Sequence, residues 1–179
     1  MTKSFFYLIY LSIVYFLAGG SEAKAQAMTN HSPAYRHEWA NLGLGTSSDK
    51  IFNSIQGFNF GVNYNWMPGR ITYQAGFNST SKLNSGDALA VLNAGVGKSL
   101  MNKTYLISLV AGPGLMWGKD FDEEINKENR FLTAGLSVNA QIIFKLIKNL
   151  GMGLELYTNL NPVQNASGIR ISIQLNNDR

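Results

Sequence analysis

The residues of this chain suited to chemistry are few, and most stand at spacings that chemistry does not use. Gly95-Val96-Gly97-Lys98-Ser99 has the closing residues of a phosphate-binding loop, in which backbone amides and a lysine hold an anion at a helix N-terminus. That loop requires a glycine five residues before Gly97, and the position holds Leu92. Met101-Asn102-Lys103 follows and reads as a turn, not as the start of a helix. Nucleotide binding is therefore not expected. His31 and His37 are the only imidazoles, and no third ligand accompanies them, so no metal site is expected. Asp120, Asp122, Glu123 and Glu124 surround Phe121, but not at the spacing of a calcium-binding EF-hand loop, and they read as a solvated acidic connection. The chain has no Cys, which removes thiol nucleophiles, disulfides, Cys-based metal sites and a lipid anchor on an N-terminal Cys. What remains is Arg70, Glu155 and Arg170, three charges placed among small and polar residues. No cofactor is expected.

The elements that hold these charges are strands. In Gly57-Phe58-Asn59-Phe60-Gly61-Val62-Asn63-Tyr64-Asn65-Trp66 every second residue is large and apolar, and every residue between is Gly or Asn. Successive side chains of a strand point to opposite faces, so one face is apolar and the other small and polar. A helix would scatter the aromatics and place five Gly and Asn in its interior. The same period recurs along the chain. Ala40, Leu42 and Leu44 begin it; Ile71, Tyr73, Ala75 and Phe77 repeat it after the turn Met67-Pro68-Gly69. Further runs centre on Ala90–Val96, Tyr105–Trp117, Leu132–Ile142, Met152–Leu156 and Ile169–Leu175. Pro113 lies inside the fifth run and cannot donate to a ladder, so a bulge or a break in pairing is expected there. The reading is eight antiparallel strands of about ten residues, the length that crosses a bilayer when tilted.

The connections alternate long and short. Thr46–Gln56, Ser79–Asp87, Gly118–Asn129 and Asn161–Ser167 are long; those at Met67–Gly69, Met101–Lys103 and Lys145–Asn149 are short. Up-and-down membrane barrels have short periplasmic turns and longer extracellular loops.

Alternation alone does not say which face is outside. A secreted lipocalin-like carrier turns its apolar face inward around a ligand, and a membrane barrel does the reverse. Charge separates the two. A water-facing strand surface carries many charges, whereas this polar face is Gly, Asn, Ser, Thr and Gln with only Arg70, Glu155 and Arg170. Those three are expected inside the barrel, Glu155 and Arg170 as an ion pair on adjacent strands. Lys98 falls on the apolar parity near a strand end, where it can snorkel to the interface. On the apolar face, Trp66, Tyr73, Tyr105 and Phe144 fall near one set of strand ends, and Phe58, Phe77 and Trp117 near the other. Two aromatic girdles around an aliphatic band are the membrane-barrel pattern.

Composition agrees. Only 15% of the 179 residues are charged, 18 are Gly, and the net charge of +4 is spread without a basic cluster, so nucleic acid is not an expected partner. Lys3 followed by the apolar run Phe5–Leu17 reads as a secretory signal, too short to span a membrane. Ala23-Lys24-Ala25 and Ala25-Gln26-Ala27 both fit cleavage. The expected organisation is a signal peptide over 1–25, a short periplasmic segment over 28–38 and an outer-membrane β-barrel over 39–179.

With these features the chain resembles the small bacterial outer-membrane β-barrel proteins, such as the barrel of outer membrane protein A and outer membrane protein X. The segment Gly168-Ile169-Arg170-Ile171-Ser172-Ile173-Gln174-Leu175 is similar to the terminal strand that the barrel-assembly machinery recognises, although the family ends on an aromatic residue and here Asn176-Asn177-Asp178-Arg179 follow. The resemblance implies the cell outer membrane of a Gram-negative bacterium. It also implies lipopolysaccharide and outer-membrane lipid, periplasmic chaperones and the assembly machinery as partners, and a structural, adhesive or surface-assembly role. Lipid-modifying enzymes of similar size use a His with a Ser or an acid on the barrel. No His lies on an expected strand, so a non-enzymatic protein is expected. None of the long loops carries a recognisable binding motif. N-terminal sequencing of the exported protein is expected to begin at Gln26 or Met28; a mature chain that retains Phe5–Leu17 would contradict the signal.

Overall fold

The computed structural model describes residues 36–48, 57–69, 71–82, 87–122 and 127–176. The expected signal segment lies outside the described residues. Among those residues there are eight strands: β1 (Arg36–Ser48), β2 (Gly57–Pro68), β3 (Thr72–Lys82), β4 (Ala88–Met101), β5 (Tyr105–Asp122), β6 (Lys127–Ile147), β7 (Leu150–Leu160) and β8 (Ala166–Asn176). Each pairs antiparallel with its sequence neighbour, and β1 pairs with β8, so the sheet closes as an up-and-down barrel. Closure leaves no sheet edge along the wall.

The register shows how strongly the barrel is staggered. Glu38 pairs with Trp66, which pairs with Tyr73, and the partners continue through Val96, Ala111, Val138, Thr158 and Ser167 to Ser48. One circuit therefore re-enters β1 ten residues further along, from 38 to 48. Because that advance is even, each residue returns to its own parity, and the outward face is continuous all round. A stagger larger than the strand number goes with a strong tilt, in the range of roughly 35–45°.

The faces follow the sequence period. In β2 the Gly and Asn positions are buried and Phe58, Val62 and Tyr64 are exposed. The outward surface also exposes Leu42, Leu44, Leu92, Val96, Leu136, Leu154 and Ile171. Short turns join β2 to β3, β4 to β5 and β6 to β7. Gly69 turns the first with φ of 110°, a conformation that favours glycine. Asn102 turns the second, its Oδ1 accepting the amides of Thr104 at 2.8 Å and Tyr105 at 2.7 Å.

Several boundaries differ from expectation; among them, β1 runs to Ser48, into the expected Thr46–Gln56 connection, and β8 begins at Ala166, inside the expected Asn161–Ser167 connection. The barrel begins at Arg36, and Arg36, His37 and Glu38 pair with Pro68, Met67 and Trp66. Polar residues at a strand end carry no alternation to read. The expected connection Gly118–Asn129 is mostly hairpin, paired as far as Asp122 with Lys127. β4 leaves β5 at Lys119, and β7 leaves β6 at Leu136, so this hairpin rises above its neighbours. Backbone pairing in water does not require an apolar face, and charge there misread strand as loop. β3 likewise extends to Lys82, into the expected Ser79–Asp87 loop. β6 runs to Ile147, with a register shift between Lys145 and Ile147. At Pro113 there is no shift: the β4–β5 ladder lapses between Asn93–Gly114 and Val96–Ala111 and resumes in the same register. Pro113 still faces Leu136 of β6, so its missing N–H is accommodated on the β4 side.

Ile171 sits mid-strand at 61% exposure, whereas Leu175 lies near the short-turn rim. In denaturant titrations of bilayer-inserted protein, Ile171→Arg is expected to cost about 2–4 kcal/mol and Leu175→Arg about 0–1 kcal/mol. Equal small effects would contradict a lipid-facing outer surface.

Candidate functional site

The inward parity converges on one polar cluster. Glu155 of β7 and Arg170 of β8 are cross-strand partners. Arg170 Nη2 donates to Glu155 Oε1 at 2.6 Å, and neither side chain is exposed at all. Two charges removed from water require further hydrogen bonds to be tolerable. Asn63 Nδ2 donates to the same Glu155 oxygen at 2.7 Å, and Asn139 Nδ2 donates to it from β6. Arg170 Nη1 donates to Asn59 Oδ1 at 3.2 Å and to Asn78 Oδ1. The guanidinium carbon lies 4.6 Å from the centre of the Tyr157 ring, a cation–π distance. The Tyr157 hydroxyl in turn donates to the Thr46 carbonyl at 3.2 Å. Residues of β1, β2, β3, β6, β7 and β8 are thus tied across the barrel centre.

Gly61 shows why the small residues are needed. A Cβ at that position would stand 1.6 Å from Arg170 Nη1. The guanidinium occupies the space that any side chain there would fill. The Asn residues satisfy charge, and the Gly residues make room for it.

Two apolar layers lie above and below the cluster inside the barrel. Trp39, Met67, Leu106 and Ile143 pack together towards the short turns, with Met101 against them. Leu89, Val91, Met116 and Ala166 pack towards the long loops, with Phe131 against them. Sequence reasoning missed both layers. The available signal was apolar residues on the inward parity at strand ends, such as Leu106, Val91 and Ile143. With charge neutralised in the middle and apolar side chains at both ends, the interior is a packed core, not a water-filled channel.

The structure brings Glu155 and Arg170 together as expected; Arg70 lies outside the described residues. The girdle residues Phe58, Trp66, Tyr73, Phe77, Tyr105, Trp117 and Phe144 all take the outward parity. Trp66 stacks on Tyr73 with ring centres 5.1 Å apart, and Phe77 meets Trp117 at 6.3 Å. These contacts mark the short-turn and long-loop ends respectively. Gly95–Ser99 is continuous β4 strand. His37 lies in β1, and His31 is outside the described residues. Asp120 and Asp122 fall in β5, while Glu123 and Glu124 lie outside the described residues. Among the described residues no group of three His, Asp or Glu is placed to hold a metal.

An apolar outer wall around a polar, neutralised interior is the inverse of a soluble barrel and fits hydrocarbon. Phe60, Val62, Leu136 and Ile171 point away from the centre, so the outward parity does not enclose a ligand as a lipocalin-like carrier requires.

No family model matches the chain, and no curated protein matches it. Solved structures do. Ail, the attachment invasion locus protein of Yersinia pestis, superposes with a TM-score of 0.58 at 9% identity, covering 81% of this chain and 100% of Ail. The N-terminal β-barrel domain of Pseudomonas aeruginosa OprF gives 0.56 at 9% identity, covering 82% and 100%. The outer membrane enzyme PagL gives 0.50 at 10% identity, covering 76% and 98%. The chain has the fold of the small eight-stranded outer-membrane β-barrels.

Arg170→Met alone is expected to destabilise the barrel by about 3–5 kcal/mol, because it strands a buried carboxylate. The double variant Glu155→Leu/Arg170→Met is expected to recover most of that loss. Reversible unfolding in detergent checks both, and a single variant as stable as the parent would contradict the buried pair.

Proposed function

We propose that the chain is a non-enzymatic integral protein of the outer membrane whose work is done by its long-loop end. The observation that carries this reading is the β5–β6 hairpin, which continues to Asp122 and Lys127 after both neighbouring strands have left it. A packed interior supports a scaffold in preference to a conduit. The rim of such a scaffold is where variable chemistry is displayed. The ion pair of Glu155 with Arg170 and its hydrogen bonds to Asn59 and Asn63 tie β2, β7 and β8 together, which supports a structural role for both charges. Likeness to a protein named for attachment supports an adhesive or surface-assembly role. Likeness to an enzyme of the same fold keeps lipid modification as the competing role, since one fold hosts several functions. Barrel-assembly machinery, periplasmic chaperones and lipopolysaccharide are the partners this reading requires.

Expression in a Gram-negative host tests it. The protein is expected to fractionate with the outer membrane, to need detergent for extraction and to change gel mobility on heating. Mass spectra of the host lipid A are expected to stay unchanged. A new deacylated or acylated lipid A species would replace the scaffold reading with the enzymatic one.

A further inference from the structure

One sector of the short-turn rim carries three cations that take no part in holding the barrel together. Lys103 lies in the β4–β5 turn, Lys145 near the end of β6 and Lys148 in the β6–β7 turn. The first turn is tied to β6, because the Thr104 carbonyl accepts the Lys145 amide at 2.8 Å. Only the ends of β5 and β6 separate the two turns, a span of about 10 Å at ordinary strand spacing. Lys103 and Lys148 are exposed and Lys145 is half-buried. Among the described residues none of the three ammonium groups has a hydrogen-bond or ion-pair partner. The described acid at this end of the barrel is Glu38, which accepts the Tyr64 hydroxyl at 2.9 Å. It lies on β1, a strand that borders neither turn.

Apolar side chains stand at the same level. Tyr105 and Phe144 are cross-strand partners and both are exposed on the outer face. Beyond Phe144, Leu146 is 57% exposed and Ile147 65%. An exposed Leu-Ile pair at a turn is what a water-facing surface avoids. Flanked by Lys145 and Lys148, the pair instead fits a boundary, with hydrocarbon on one side and charged headgroups on the other. Lysine stems lie along apolar surface and carry the ammonium to headgroup level. Clustered lysines at a lipid surface favour anionic headgroups. A zwitterionic lipid brings its own ammonium to its phosphate, whereas an anionic lipid leaves that phosphate to lysine. We propose that this sector binds an anionic phospholipid of the periplasmic leaflet. Its phosphate lies between Lys103 and Lys148 over the ends of β5 and β6, and an acyl chain runs along Tyr105, Phe144 and Leu146. Lys145 adds its charge to the same place. The proposal rests on the reading that the barrel spans an outer membrane with its short turns in the periplasm.

The test uses the full mature chain, folded in detergent and titrated with phosphatidylglycerol and phosphatidylcholine of identical acyl chains and with glycerol 1-phosphate. Binding is read by native mass spectrometry. Phosphatidylglycerol is expected to bind one to one, at least about tenfold tighter than phosphatidylcholine. Lys103→Gln/Lys145→Gln/Lys148→Gln is expected to erase that preference, and Lys103→Arg/Lys145→Arg/Lys148→Arg to keep it. Leu146→Ser/Ile147→Ser, which leaves all three cations, is expected to weaken phosphatidylglycerol by a similar factor. An undiminished preference in the glutamine variant, no effect of the serine variant, or glycerol 1-phosphate binding as tightly as the lipid would each overturn the proposal. Heat-modifiable mobility is scored on every variant. Its absence in the parent chain would overturn the membrane reading itself, a failure separable from loss of headgroup selectivity in a properly folded barrel.

Discussion

Backbone hydrogen bonding in hydrocarbon is the constraint from which this structure follows. An unpaired amide or carbonyl facing lipid costs several kcal/mol, and no water is present to satisfy it. A strand chain meets that demand only by closing, and closure here is made by β1 with β8. The pairing of Ala40 with Leu175 and of Leu44 with Ile171 therefore carries the same weight as any hairpin in the wall. Once the wall is closed, the two parities inherit opposite environments. Leu, Ile and aromatic side chains face out, and whatever fits the narrow lumen faces in.

The lumen then has its own problem, since eight strands enclose little space. A buried arginine and glutamate are an expensive way to fill it unless their donors and acceptors are met. Asn63 and Asn139 donate to Glu155 Oε1, Asn59 and Asn78 accept from Arg170 Nη1, and Gly61 cedes the room for the guanidinium. The two apolar layers, around Trp39 and around Met116, place this network between dry ends. Low dielectric strengthens a satisfied network and penalises a broken one, so the same feature that rigidifies the barrel makes it intolerant of single changes. The consequence for function is that variation is confined to the rim and the outer face.

Much of this was legible in residue order because a period of two is a strong signal and the outside of a membrane barrel keeps it unbroken. The Phe58–Trp66 alternation placed five side chains outward, and the structure keeps all five there. The inward parity of Glu155 and Arg170, with their adjacent strands, was enough to pair them. The hairpin above Trp117 was not legible, because Lys119–Asp122 carry charge without alternation and water does not demand any. Nor was Trp39: it stands in a polar neighbourhood at the start of β1, and its 1% exposure depends on Leu106 and Ile143 from distant strands. The four Asn partners of the central pair were seen only as small polar filler, since their roles depend on register.

The central claim is that one parity of this wall meets lipid and the other does not, and the chain's three tryptophans report on it directly. Trp66 and Trp117 take the outward parity and Trp39 is enclosed. Single-tryptophan variants, with the other two replaced by Phe, would be folded into bilayers of brominated phospholipid and their fluorescence quenching measured. The account predicts strong quenching of Trp66 and Trp117 and weak quenching of Trp39. Strong quenching of Trp39, with Trp66 and Trp117 quenched by aqueous iodide and not by the lipid, would contradict it.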